Sequence, residues 1–161
     1  MMRKIMHSAD MIKLDELDRY PTLKVAWDEL VTDAEAKIAG LKNYNLGKTV
    51  LKSNKSSSVI TNVRFRNASF KLLGPNRRVQ ETLGKVDTYV MIIERFGRRP
   101  RIITWTVAVN GKGDDITIKD LERITRKDIL DLYIVAELAD LPIDPSWILS
   151  LFHAYLWKET L

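Results

Sequence analysis

Cysteine is absent from this 161-residue chain, so disulfide staples, thiolate metal sites and thiol redox chemistry are all excluded. Histidine is scarce: only His7 and His153 occur, at opposite ends. A zinc site or a serine–histidine–aspartate triad needs histidine with partners at defined spacing, and neither histidine has them locally. No stretch approaches the roughly 20 uninterrupted apolar residues that cross a bilayer. The opening "MMRKIMHSADM" has two basic residues but no apolar run of signal-peptide length behind them. These absences lead us to expect a cytoplasmic protein, or a virion-associated one if the chain is viral. No cofactor, bound metal or small-molecule substrate is expected.

Acidic residues are scarce in one segment only. Residues 1–51 carry 8 basic and 8 acidic side chains, residues 52–112 carry 13 and 3, and residues 113–161 carry 5 and 10. A net charge of +5 therefore hides a middle at +10 followed by a tail at −5. Fields sorted in this way steer anionic partners.

The chain reads as one α+β domain over residues 1–161, with N-terminal helices, a central and mostly antiparallel sheet of about four or five strands, and C-terminal helices packed on that sheet. A short amphipathic piece ends at Pro21. Leu23, Trp27, Leu30, Ala34, Ile38 and Leu41 then recur at spacings of 4, 3, 4, 4 and 3, the stripe of one helix. Gly47-Lys48-Thr49 invites a phosphate-loop reading, but the glycine required five positions before the pair is Lys42. Residues 52–58 read as a mobile basic loop.

Strands follow. Val59, Thr61, Val63 and Phe65 share a face, and the apolar phase shifts to Ala68, Phe70 and Leu72, which requires a turn or bulge near Asn67. Asn76 is placed to cap a short helix through about Leu83. "VDTYVMIIER" is apolar on both faces and is expected at the centre of the sheet. "RIITWTVAV" is its partner across the loop "FGRRP". Thr117 with Asp120, and Thr125 with Asp128, have capping-box spacing, and Asp144-Pro145 reads as a third helix start.

The functional expectation rests on nine cations in three clusters. Arg64, Arg66 and Lys71 lie on neighbouring strands, Arg77 and Arg78 at a turn, and Arg95, Arg98, Arg99 and Arg101 around the hairpin "ERFGRRPR". Guanidinium is a planar fork that gives phosphate two parallel hydrogen bonds. Phe65, Phe70 and Trp105 fall on the apolar phase, and only Tyr89 and Phe96 are left as stacking aromatics. The expected mode is therefore contact with the phosphate backbone of RNA or DNA by a non-enzymatic protein.

Two alternatives accompany that reading. The last helix carries Trp147, Leu151, Phe152, Tyr155 and Trp157, more apolar surface than one stripe needs. That surplus suits self-association or contact with an anionic membrane, as in a structural protein of viral matrix type. The third reading is a metal-dependent nuclease built on Asp87 and Glu94. Seven residues apart in a strand, these carboxylates point to opposite faces, whereas two ligands of one ion must converge.

Overall fold

Seven strands form one sheet in the order β1-β7-β6-β5-β4-β3-β2, with every neighbouring pair antiparallel. They are β1 (Lys4–His7), β2 (Asn45–Lys52), β3 (Ser57–Phe65), β4 (Ala68–Pro75), β5 (Val86–Arg95), β6 (Arg101–Ala108) and β7 (Asp115–Ile118). A 3-10 turn (Leu14–Arg19) and helix α1 (Pro21–Gly40) precede β2; α2 (Arg126–Ala139) and α3 (Pro145–Glu159) follow β7. The computed structural model describes residues 4–7, 12–52, 57–65, 67–75, 86–95, 97–108, 115–118, 123–141 and 145–159. The expected α+β arrangement is the one observed, with a sheet wider than the four or five strands anticipated.

The α1 stripe does what its spacing dictates: Leu23, Trp27, Leu30 and Ala34 are buried, and Ile38 and Leu41 pack against the same core. Pro21 occupies the first turn, where a missing N–H costs nothing. Helix α2 opens on a complete capping box. The Thr125 hydroxyl accepts from the Asp128 N–H at 3.2 Å, and the Asp128 carboxylate accepts from the Thr125 N–H at 3.0 Å.

Strand alternation assigns the two faces of the sheet. Val63, Phe65, Phe70, Leu72, Tyr89, Met91, Ile93 and Ile103 are buried with the apolar sides of all three helices in one core. The intervening positions point to the opposite face, where Arg64, Lys71, Glu94 and Ile102 are exposed. Strand β5 is the fourth of seven, the central position its two apolar faces require. The phase shift between β3 and β4 is resolved by a tight turn at Asn67, with Phe65 paired directly to Ala68.

Two expectations are corrected. The segment 45–52 is a strand paired with β3 along its whole length, so Lys52, Ser57 and Ser58 belong to strands rather than to a loop. Every β2 position whose surroundings are described, Asn45 to Val50, is exposed, so no apolar alternation marks it. Thr117 does not start a helix: it pairs with Ile5 on one side and Thr106 on the other. Asp115 opens that same strand. Pairing with β1, more than a hundred residues away, overrides the local capping pattern there. The helix expected from Asn76 to Leu83 lies outside the described residues, as does Asp144.

Gly74 is required by close approach. A Cβ placed there would lie 3.0 Å from Tyr89 Cδ1 and 3.1 Å from Cε1. The Tyr89 ring is fully buried and packs edge-on against Trp147, with centroids 3.9 Å apart, so it has little room to yield. Gly74→Ala is expected to destabilise the fold by about 1–3 kcal/mol through overpacking, read as a lowered urea midpoint.

Candidate nucleic-acid interface

Along the core face of the sheet, the rows change character towards one end. Val63, Phe70 and Ile93 are paired in register, and the next strand continues that row with Arg101. The following row runs Phe65, Ala68, Arg95. Both arginines thus occupy core-face positions at the hairpin end, where helix α2 begins. Helix α2 meets them with acids: Asp128, Asp131, Leu132, Val135 and Ala139 are all buried, at the spacing of one stripe.

The resulting cluster is tight. Arg101 Nη1 donates to Asp128 Oδ2 at 2.6 Å, Arg95 Nη1 to Asp128 Oδ1 at 3.3 Å, and Arg95 Nη2 to Asp131 Oδ2 at 2.6 Å. The Asp128 side chain is fully buried, while those of Arg95 and Arg101 keep 23% and 30% of their surface exposed. Nearby, Arg126 reaches Asp33 of α1 at 3.2 Å, and Asp33 also accepts from Lys37.

Burial pushes the Asp131 carboxyl above its ordinary 3.8, outweighing the attraction of Lys127 and Arg95. A 2.6 Å ion pair and an upward shift coexist because removing a carboxylate from water costs more than one partly exposed guanidinium returns.

The nine expected phosphate contacts therefore divide. Arg95 and Arg101 are corrected: they serve the fold first, because strand alternation turns them onto α2. Arg98 and Arg99 are exposed at the hairpin tip, and Arg64 and Lys71 are exposed on the face opposite the described helices. Arg66, Arg77 and Arg78 lie outside the described residues. Phe65 and Phe70 are buried and stacked at 4.8 Å, as their phase implied. Tyr89 is corrected from a possible stacking platform to core. Phe96 is not among the described residues, and for Trp105 only the backbone is described.

The turn itself has a simple construction. Arg98 N–H donates to the Arg95 carbonyl at 3.1 Å, and Gly97 takes a left-handed φ of 73° that a side chain would oppose.

The apolar surplus of α3 is mostly internal. Trp147, Leu151 and Phe152, expected at a contact surface, are buried in the core, which corrects that part of the expectation. Tyr155 is half-buried, with Lys158 Nζ 5.0 Å above its ring, and Trp157 keeps 55% exposure. Among the described residues no helix is long and apolar enough to cross a membrane. Asp87 and Glu94 occupy positions of opposite parity in β5, and Glu94 is exposed on the face away from the helices. His153 is half-buried in α3, and desolvation holds it below its usual 6.5.

Sequence reasoning missed Asp128 and Asp131 as partners of the hairpin. The signal was present: acids at i and i+3 head a stripe that continues as Leu132, Val135 and Ala139. Arg95 likewise continues the alternation Tyr89, Met91, Ile93.

Asp128→Ala should destabilise the protein by about 3–5 kcal/mol, since it takes the carboxylate from Arg101, leaves Arg95 with Asp131 alone and breaks the capping box. Arg98→Ala and Arg99→Ala should each stay within about 0.5 kcal/mol of wild type. Equilibrium urea unfolding separates these outcomes. The Asp131 shift also sets a sign. The folded state holds that proton more tightly than the unfolded state, so its contribution falls as pH rises from 3.8 through the raised value. Wild-type stability minus that of Asp131→Asn should therefore decrease as pH rises from 3.8, measured by the same unfolding at a series of pH values.

Comparison of the chain with protein-family models, with curated proteins and with solved structures gives no match.

Proposed function

We propose that this is a non-enzymatic protein that binds the phosphate backbone of nucleic acid with the hairpin end of its sheet. The observation that carries the reading is the division of the hairpin's four arginines. Two are neutralised by Asp128 and Asp131 and fix the base of the hairpin. The other two, Arg98 and Arg99, stand exposed at the tip. A flexible tip would lose conformational entropy on binding, whereas a tip clamped at its base has given up much of that freedom beforehand.

Arg64 extends the surface. It sits at the same end of the sheet, on the face opposite the described helices, with Lys71 further along that face. The described side chains leave Glu94 as the exposed acid of the same rows, two strands from Arg64 through Ser69, a separation of about 10 Å. Contacts of this kind neutralise phosphate charge and release counterions, so affinity falls steeply with salt and carries little base preference. Membrane apposition is the weaker reading, because Trp147, Leu151 and Phe152 are committed to the core.

Binding is measured by fluorescence anisotropy on single- and double-stranded RNA and DNA across a salt series, with anionic liposomes alongside. Arg98→Ala combined with Arg99→Ala is expected to weaken binding and to make the log–log salt slope less negative by about 2. An unchanged slope would reduce the tip to a turn, and absence of binding to every oligonucleotide at low salt would end the proposal.

A further inference from the structure

At the foot of the hairpin lies a cleft of about 340 Å³ lined by Phe65, Asn67, Ala68, Phe70, Arg95, Arg98, Lys127 and Asp131. It is bounded by the β3–β4 turn, the hairpin and the first turn of α2. Its volume falls within the range of small-ligand sites, roughly 300–1,000 Å³, which is room for one nucleotide rather than for a strand passing through.

The charges around it can be accounted for one by one. Asp128 and Asp131 are matched by Arg95 and Arg101 at 2.6–3.3 Å. Among the described residues, Arg98 and Lys127 are the cleft's further cations. Arg98 is exposed, and Lys127, with 60% of its side chain exposed, makes only a loose ion pair with Asp131 Oδ2 at 3.7 Å, beyond hydrogen-bond reach. A backbone phosphodiester carries one negative charge, whereas a phosphomonoester carries about 1.5 to 2 at neutral pH. Two cations at one small cleft match the monoester.

We infer that this cleft receives the terminal phosphate of a nucleic-acid strand, with Arg98 and Lys127 as its cationic partners. The inference rests on the nucleic-acid reading above and narrows it from backbone contact to recognition of a phosphorylated end. Guanidinium supplies the directional fork and the ammonium a mobile point charge. Phe65 and Ala68, backed by the buried Phe70, form an apolar wall beside the terminal nucleotide, and the Asn67 amide offers both a donor and an acceptor.

The test compares one short oligonucleotide sequence with a 5′-phosphate, a 3′-phosphate or hydroxyls at both ends, by anisotropy at fixed low salt. Wild type should bind one of the phosphorylated forms about ten-fold more tightly than the hydroxyl form, the worth of one good charge-assisted contact. Lys127→Ala should reduce that ratio to about two-fold or less, and Lys127→Arg should restore most of it. Lys24→Ala, which removes the same charge from an exposed i,i+4 pair on α1, should leave the ratio as it was. Equal binding of all three forms by wild type would overturn the inference while leaving backbone binding in place. A ratio that survives both Lys127→Ala and Arg98→Ala would remove the assignment to this cleft. If none of the three forms binds, the nucleic-acid reading falls and this inference falls with it.

Discussion

The contact between Arg95 and Arg101 on the sheet and Asp128 and Asp131 on α2 is the one on which the rest of the arrangement depends. Apolar packing alone would let a helix with a continuous stripe slide or reverse on a sheet, because burial is non-directional. Four charges remove that freedom. Asp128 must lie over the two arginines, so the N-terminus of α2 is fixed at the hairpin end. Such a cluster need not add net stability, since desolvation consumes much of the attraction, as the raised Asp131 pKa illustrates. Its contribution is orientation: it decides which end of the helix meets which end of the sheet.

The same cluster sets what the hairpin can offer to a partner. With Arg95 and Arg101 occupied, the tip presents a defined pair of cations instead of four mobile ones. The acidic excess of residues 113–161 is explained in part by this exchange, because two of its ten acids neutralise two of the middle segment's thirteen bases within the fold. The net +10 of the middle therefore overstates the charge that can meet a ligand. The exposed tip is screened by salt far more than the cluster beneath it. A range of ionic strength should accordingly exist in which the proposed nucleic-acid contact is lost while the tertiary structure is kept.

Much of this architecture was legible in the sequence, and the misses share a cause. The α1 stripe, the alternation of β3 to β6, the central place of β5 and the Thr125–Asp128 capping box are all set by neighbours close in sequence or by burial on one face. Strand β2 has none of these marks, because it is an edge whose described side chains stay exposed. Strand β7 owes its conformation to β1 and β6, and no local pattern reports a partner that distant. Among the residues proposed for the site, Arg98, Arg99, Arg64 and Lys71 are exposed. Arg95 and Arg101 were misjudged because their charge was weighed without their strand parity, although Ile93 and Ile103 beside them mark the buried face.

Lys48 completes the restraint of α2 from the other side. Its Nζ donates to the carbonyls of Ala139 and Asp140 at 3.0 and 3.5 Å, where the helix ends and Asp140 turns left-handed with φ 48°. Cations from β5 and β6 grip the first turn, and a cation from the edge strand β2 grips the last. The 14 residues of α2 span about 21 Å, enough to cross β4 and β3 between those holds. The helix is thus a brace, pinned at the middle of the sheet and at its β2 edge like the tie-bar of a gate. A load applied at the arginine tip would be carried along that bar to the outermost strand, making the hairpin and the far edge mechanically one piece.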